Sequence, residues 1–158
     1  MLIYSEKQKF GAWYMSLLFF VMAGLCLYTM YQIWGQEMNW VHFLAPVIAL
    51  ISIVAMASVS LVTRIETDAI QVGFPLLGKR TIPRSEIARA YVRQYSPIGE
   101  YGGWGYRIGR NGKAYNTMGD QGLQLELQDG SRILIGTQRP AELRKVIAGW
   151  IPNAQPTR

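Results

Sequence analysis

The sequence predicts a two-helix transmembrane hairpin followed by a mainly-β domain of about seven antiparallel strands, capped by one C-terminal helix. Three observations carry that prediction. From Phe10 to Thr63, a run of 54 residues, the only formal charge is Glu37. Beyond that run the apolar residues stop being continuous and begin to alternate. Near the C-terminus the spacing changes again, to the three-and-four repeat of an amphipathic helix.

The apolar run divides at Gln36-Glu37-Met38-Asn39-Trp40 into Ala12–Gly35 and Val41–Val62. Each stretch matches the roughly 20 apolar residues needed to cross a hydrocarbon core about 30 Å thick. Residues 1–63 therefore read as a membrane anchor, with spans at about 12–35 and 41–62, and residues 64–158 as a separate domain. A signal peptide fits less well, since the first stretch is too long for an h-region and a second follows closely. Lys7 and Lys9 precede the first stretch, Arg64 follows the second, and the loop between them has neither Lys nor Arg. By the positive-inside rule this gives a multi-pass inner (plasma) membrane protein with both termini cytoplasmic. Trp13, Tyr14, Tyr31, Trp34 and Trp40 lie where interfacial aromatics are expected. Cys26 has no intrachain partner, and His42 sits at the edge of the second span. Neither stretch holds Asp, Glu, Lys or Arg, which disfavours a transporter acting alone.

In the second part, Val62–Thr67 and Ala69–Phe74 read as short strands about a tight turn at Asp68. A turn at Pro75-Leu-Leu-Gly78 leads to a strand at Arg80–Pro83. Ile87–Tyr95 follows, with Ala88, Ala90 and Val92 on one face and Arg89, Tyr91, Arg93 and Tyr95 on the other. Tyr106–Arg110 and Lys113–Thr117 flank Asn111-Gly112, a signal for a two-residue hairpin turn. Leu123, Leu125 and Leu127 alternate with polar residues, and Asp129-Gly130 turns the chain into Arg132–Gly136. Leu143, Val146, Ile147 and Trp150 then form one helical stripe, with Pro140 in the first turn and Thr137 or Gln138 near the N-cap.

These residues reach a family. A hairpin followed at once by strands and a C-terminal helix resembles the bacterial membrane proteins with pleckstrin-homology-like (PH-like) domains. Ile82-Pro-Arg-Ser-Glu-Ile87 carries the resemblance, as do Gly102-Gly-Trp-Gly-Tyr106, Ala114-Tyr-Asn116 and Ile135-Gly-Thr-Gln138. It implies a seven-stranded, strongly bent sheet capped by a helix, and it implies no chemistry.

No constellation for catalysis stands out. Residues 64–158 hold no His, no Cys and eight carboxylates, so no metal-ligand spacing and no nucleophile-base pair can be written. The expectation is a non-enzyme without cofactor or metal. Charge is more informative. Between Lys79 and Lys113 eight basic residues face two acidic ones, a surplus equal to the whole chain's +6. Phe74, Leu76, Leu77, Lys79, Arg80 and Arg84 are the candidates for an apolar tip and basic rim facing anionic lipid. Arg89, Tyr91, Arg93 and Tyr95 are the candidate partner-binding face. Their cation–aromatic alternation suits base stacking, but a cross-strand ladder is the better reading, and nucleic acid is not expected. The function read from these features is a membrane-anchored, non-catalytic adaptor that engages a protein partner or lipid headgroups. An accessory subunit of a larger membrane complex or transporter is the alternative, and a homo-oligomer stays open.

Overall fold

A computed structural model describes residues 1–9, 12–34, 44–75, 78–109 and 111–151. The chain divides into two compact units, Met1–Lys9 with Ser60–Arg158, and Phe10–Val59.

The unit Phe10–Val59 contains α1 (Ala12–Gln32) and α2 (Leu44–Ser58). Here the transmembrane hairpin expected from sequence is corrected: among the described residues no helix is long and apolar enough to cross a membrane. At 1.5 Å per residue the 15 residues of α2 rise about 22 Å, short of a core about 30 Å thick. The final residues of the expected second span join a β-strand that begins at Ser60. In α1 the apolar run Leu17–Leu27 gives way to Tyr28, Thr29, Tyr31 and Gln32, and Gln32 Nε2 donates to Tyr28 Oη at 2.7 Å. The multi-pass inner-membrane location and the orientation of the termini rested on those spans and fall with them. The expected loop 36–40 and His42 lie outside the described residues, as do the side chains of Trp13 and Tyr14.

The β unit opens on a strand that composition had hidden within the anchor. In β1 (Leu2–Lys9) Tyr4, Glu6 and Gln8 point inward while Ser5, Lys7 and Lys9 face out. It pairs antiparallel with β2 (Ser60–Glu66), and β3 (Ala69–Phe74) and β4 (Gly78–Pro83) complete a sheet of order β1-β2-β3-β4. After a single turn of 3-10 helix at Arg84–Glu86 come β5 (Ile87–Gln94), the short α3 (Pro97–Tyr101), β6 (Gly105–Gly109), β7 (Gly112–Asn116), β8 (Gln121–Leu127) and β9 (Arg132–Gly136). Their order is β5-β8-β9-β7-β6, and β7 runs parallel to β9. The single bent sheet of about seven antiparallel strands is thereby corrected, among the described residues, to nine strands in two sheets. A count from alternation missed β1, because its inward residues include the polar Glu6 and Gln8.

The core lies between the sheets. Leu61, Ile65, Ile70, Val72 and Ile82 come from the first, and Leu123, Leu125, Ile133 and Ile135 from the second. The helix α4 (Pro140–Trp150) closes one end against β1, β5 and β8 through Leu143, Ile147 and Trp150. Trp150 Nε1 donates to the Thr67 carbonyl at 3.1 Å, and the Arg84 guanidinium lies over its ring. Polar bonds also tie the sheets together. Glu6 accepts from Tyr4 Oη (2.7 Å), Thr137 Oγ1 (2.8 Å) and the Gln138 amide (2.8 Å). Gln8 donates to the Gly136 carbonyl (2.7 Å) and accepts from Thr117 Oγ1 (3.1 Å). A buried carboxylate is tolerated because every one of these partners is a donor.

One turn differs from its sequence signal. Gly109 pairs with Gly112, so Gly112 is already in β7 and not in the turn. Its φ is +104°, and a Cβ there would stand 2.1 Å from the Arg132 carbonyl oxygen. Glycine is needed at this position so that β7 can lie against β9, and not to make the turn.

Candidate binding cleft

At the end of the core where β3 turns into β4, the two sheets part. Gly73 allows the tight return, since a Cβ there would lie 2.3 Å from the Gly78 carbonyl oxygen. This close approach pairs Gly73 with Lys79 and Val72 with Arg80. Arg80 stands two residues before buried Ile82, and therefore on the core-facing side of β4. Opposite it, β6 and β7 pair Tyr106 with Tyr115 and Ile108 with Lys113, which puts these four side chains on one face. The two tyrosine rings stand 5.0 Å apart.

The result is a cleft of about 440 Å³ lined by Phe74, Gly78, Lys79, Arg80, Tyr106 and Tyr115. Its floor is apolar: Phe74 is buried and Tyr115 nearly so, while Tyr106 is 43 % exposed at the rim. Burial pushes the Tyr115 phenol up, and the neighbouring Arg80 guanidinium partly opposes it. The phenol therefore stays neutral near pH 7.

A second, more polar cavity of about 520 Å³ adjoins the first through Arg80. Lys113 and Asp129 supply its other charges, and exposed Ile108 supplies an apolar wall. The Ser131 hydroxyl and amide hold the Asp129 carboxyl below its usual range. Arg80 and Lys113 thus stand about one space with Asp129, while the Arg132 guanidinium pairs with Glu126 at 3.9 Å on the other face of the sheet.

The sequence candidates are distributed unevenly about this site. Phe74, Lys79 and Arg80 line it, but Phe74 is a buried floor residue and not a protruding tip. Leu76 and Leu77 lie outside the described residues. Arg84 is exposed and stacks on Trp150. The second group is engaged internally, apart from exposed Arg89. Arg93 donates to both carboxylate oxygens of Glu100 (3.1 and 2.6 Å) and to Gln124 (3.0 Å). Tyr91 donates to Glu126 at 3.2 Å. Tyr95 is buried, its hydroxyl accepts from Asn116 at 3.0 Å, and burial pushes the phenol up to about 12. Sequence reading missed Tyr106, Tyr115 and Lys113 as site residues. Their strands were readable, but their convergence on Arg80 depends on how the sheets face each other.

Among the described residues no group of three or more His, Cys, Asp or Glu side chains is placed to hold a metal ion. No protein-family model matches the chain, and no curated protein matches it.

Proposed function

We propose that this protein is a non-catalytic binding module whose cleft captures an acidic segment of a protein partner. The observation that carries this reading is the pairing of an aromatic floor with a cationic rim. Phe74, Tyr106 and Tyr115 offer apolar area, while Lys79 and Arg80 stand beside them. Such a site suits an apolar side chain flanked by Asp or Glu. Burying one such side chain is worth about 1.5–3 kcal/mol, and the charges select the flanking sequence and speed encounter. Arg80 is the specific element, because it is half-buried among aromatic rings and can present a planar, bidentate donor pair.

Random peptides displayed on phage and selected against the full-length chain test this reading. Enriched sequences should place Asp or Glu beside an apolar residue, and Arg80→Gln should weaken them about tenfold. Tyr106→Ala, at an exposed position, should weaken them while leaving the melting temperature near that of the parent. Enriched peptides without acidic residues, or binding indifferent to both substitutions, would overturn it.

A further inference from the structure

We infer that the captured segment lies along β6 as an added antiparallel strand, its backbone hydrogen-bonded to Tyr106 and Ile108. The inference rests on the acidic-segment reading and deepens it, by naming what holds the segment's main chain. Three features point this way.

The first is a free row of backbone groups. β6 stands last in its sheet, with β7 on one side only. The Gly105 amide points toward β7, where it donates to Asn116 Oδ1 at 2.8 Å. Amides along a strand face alternate sides, so those of Arg107 and Gly109 also point toward β7. The N–H and C=O groups of Tyr106 and Ile108 therefore point off the edge, and among the described residues none partners them.

The second is that this edge is bare where the others are not. β1 and β5 each carry a register shift, between Leu2 and Tyr4 and between Ile87 and Arg89, and α4 packs against both strands. β4 ends at Pro83. Bulges, prolines and covering helices are the usual means by which an edge is kept from pairing. β6 runs through five consecutive pairs with β7 without a shift. The short α3 packs on its far face, where a Cβ on Gly109 would meet the Glu100 carbonyl.

The third is side-chain chemistry. Residues directly opposite in an antiparallel pair share a face. Those opposite Tyr106 and Ile108 thus point toward the aromatic cleft, and the one between them points to the side of Arg107. Ile108 is 73 % exposed, and an apolar neighbour would cover it. Alternating apolar and acidic residues meet both demands, with Lys79, Arg80 and Lys113 adding positive charge about the cleft. A second copy of β6 does not. The two-fold pairing that uses Tyr106 and Ile108 of both copies sets Arg107 against Arg107, and like charges directly opposite are destabilising.

The test uses the full-length chain and three acetylated, amidated peptides of sequence Glu-Leu-Glu-Val-Glu in isothermal titration. One is unmodified, one is N-methylated at Leu and Val, and one is N-methylated at the central Glu. Methylating Leu and Val removes the donors that face β6 and should weaken binding by at least about tenfold. Methylating the central Glu, whose amide faces away, should change binding less than about threefold. Ile108→Pro removes the edge amide but no bond to β7. It should bind the unmodified peptide about tenfold more weakly than Ile108→Ala, a comparison that cancels the lost side chain. The methylated peptides decide the matter where Ile108→Pro does not fold. Any other order of the two methylated peptides would overturn strand addition, and Arg80→Gln still weakening the unmodified peptide would leave the acidic-segment reading standing. Failure of the unmodified peptide to bind would overturn both. A dimer in light scattering that Ile108→Pro makes monomeric would overturn the segment in favour of a second copy.

Discussion

At the scale of single residues, Glu100 is a carboxylate held well below its ordinary range. Hydrogen bonds from Arg93 push its carboxyl down to about 2, helped by the Ser96 amide and Asn111 and opposed by partial burial. A depressed carboxylate stabilises the fold above its unfolded pKa and loses that contribution as pH falls through the folded value. The affected window therefore runs from about pH 4.5 down to about pH 2. With the pair about a quarter exposed, solvent screening holds its contribution to about 1 kcal/mol. Glu100→Gln should cost about that much at pH 7, and acid denaturation should show a shallower loss of stability in the variant below pH 4.5. Parallel curves for the two proteins would show that the pair contributes nothing.

Glycines give a second residue-scale contrast. Gly112 and Gly130 both have positive φ, but only Gly112 has backbone where a Cβ would go. Gly130→Ala meets open space and should cost about 1 kcal/mol from conformation alone. Gly112→Ala must also displace β9 and should cost more than about 3 kcal/mol. Denaturant midpoints of the two variants measure the difference. This contrast also shows where sequence stops being informative. The pair Asn111-Gly112 signals a hairpin, and a hairpin is there, but the glycine serves a contact with a strand some 20 residues away.

At the scale of elements, β2 to β9 lie close to where alternation and turn residues place them, and α4 where its stripe does. Local patterns suffice when a strand shows one apolar face, as in Leu123, Leu125 and Leu127. They fail for β1, whose buried side is Tyr4, Glu6 and Gln8. Those residues are inside because Thr137, Gln138, Gly136 and Thr117 supply partners from more than 100 residues away. A sequence scan has no access to such partners. Glu6→Ala should leave the Tyr4 and Thr137 hydroxyls and the Gln138 amide unpaired and cost about 2–4 kcal/mol. Hydrogen exchange should show the loss concentrated in β1 and the start of α4. Protection unchanged in β1 would mean that strand pairing with β2, and not Glu6, holds it in place.

At the scale of the molecule, β1 and the segment from Ser60 onward form one folded unit although residues 10–59 separate them in sequence. Apolar continuity drew the sequence boundary at residue 63, whereas backbone pairing carries residues 2–9 into the sheet. The candidate site was legible only in part for a related reason. A surplus of positive charge between Lys79 and Lys113 is visible in composition, yet composition treats Arg93 and Arg80 alike. In the folded unit Arg93 is spent on Glu100 and Gln124, while Arg80 stands at the junction of two cavities.

The central claim is that recognition occurs at this junction. Amide chemical shifts of the isotopically labelled full-length chain, followed while a selected acidic peptide is added, test it most directly. Shifts should saturate and cluster at Phe74, Lys79, Arg80, Tyr106 to Ile108, Lys113 to Tyr115 and Asp129 to Ile133. Shifts centred instead on Arg89 to Tyr95, or on β1 and α4, would contradict it.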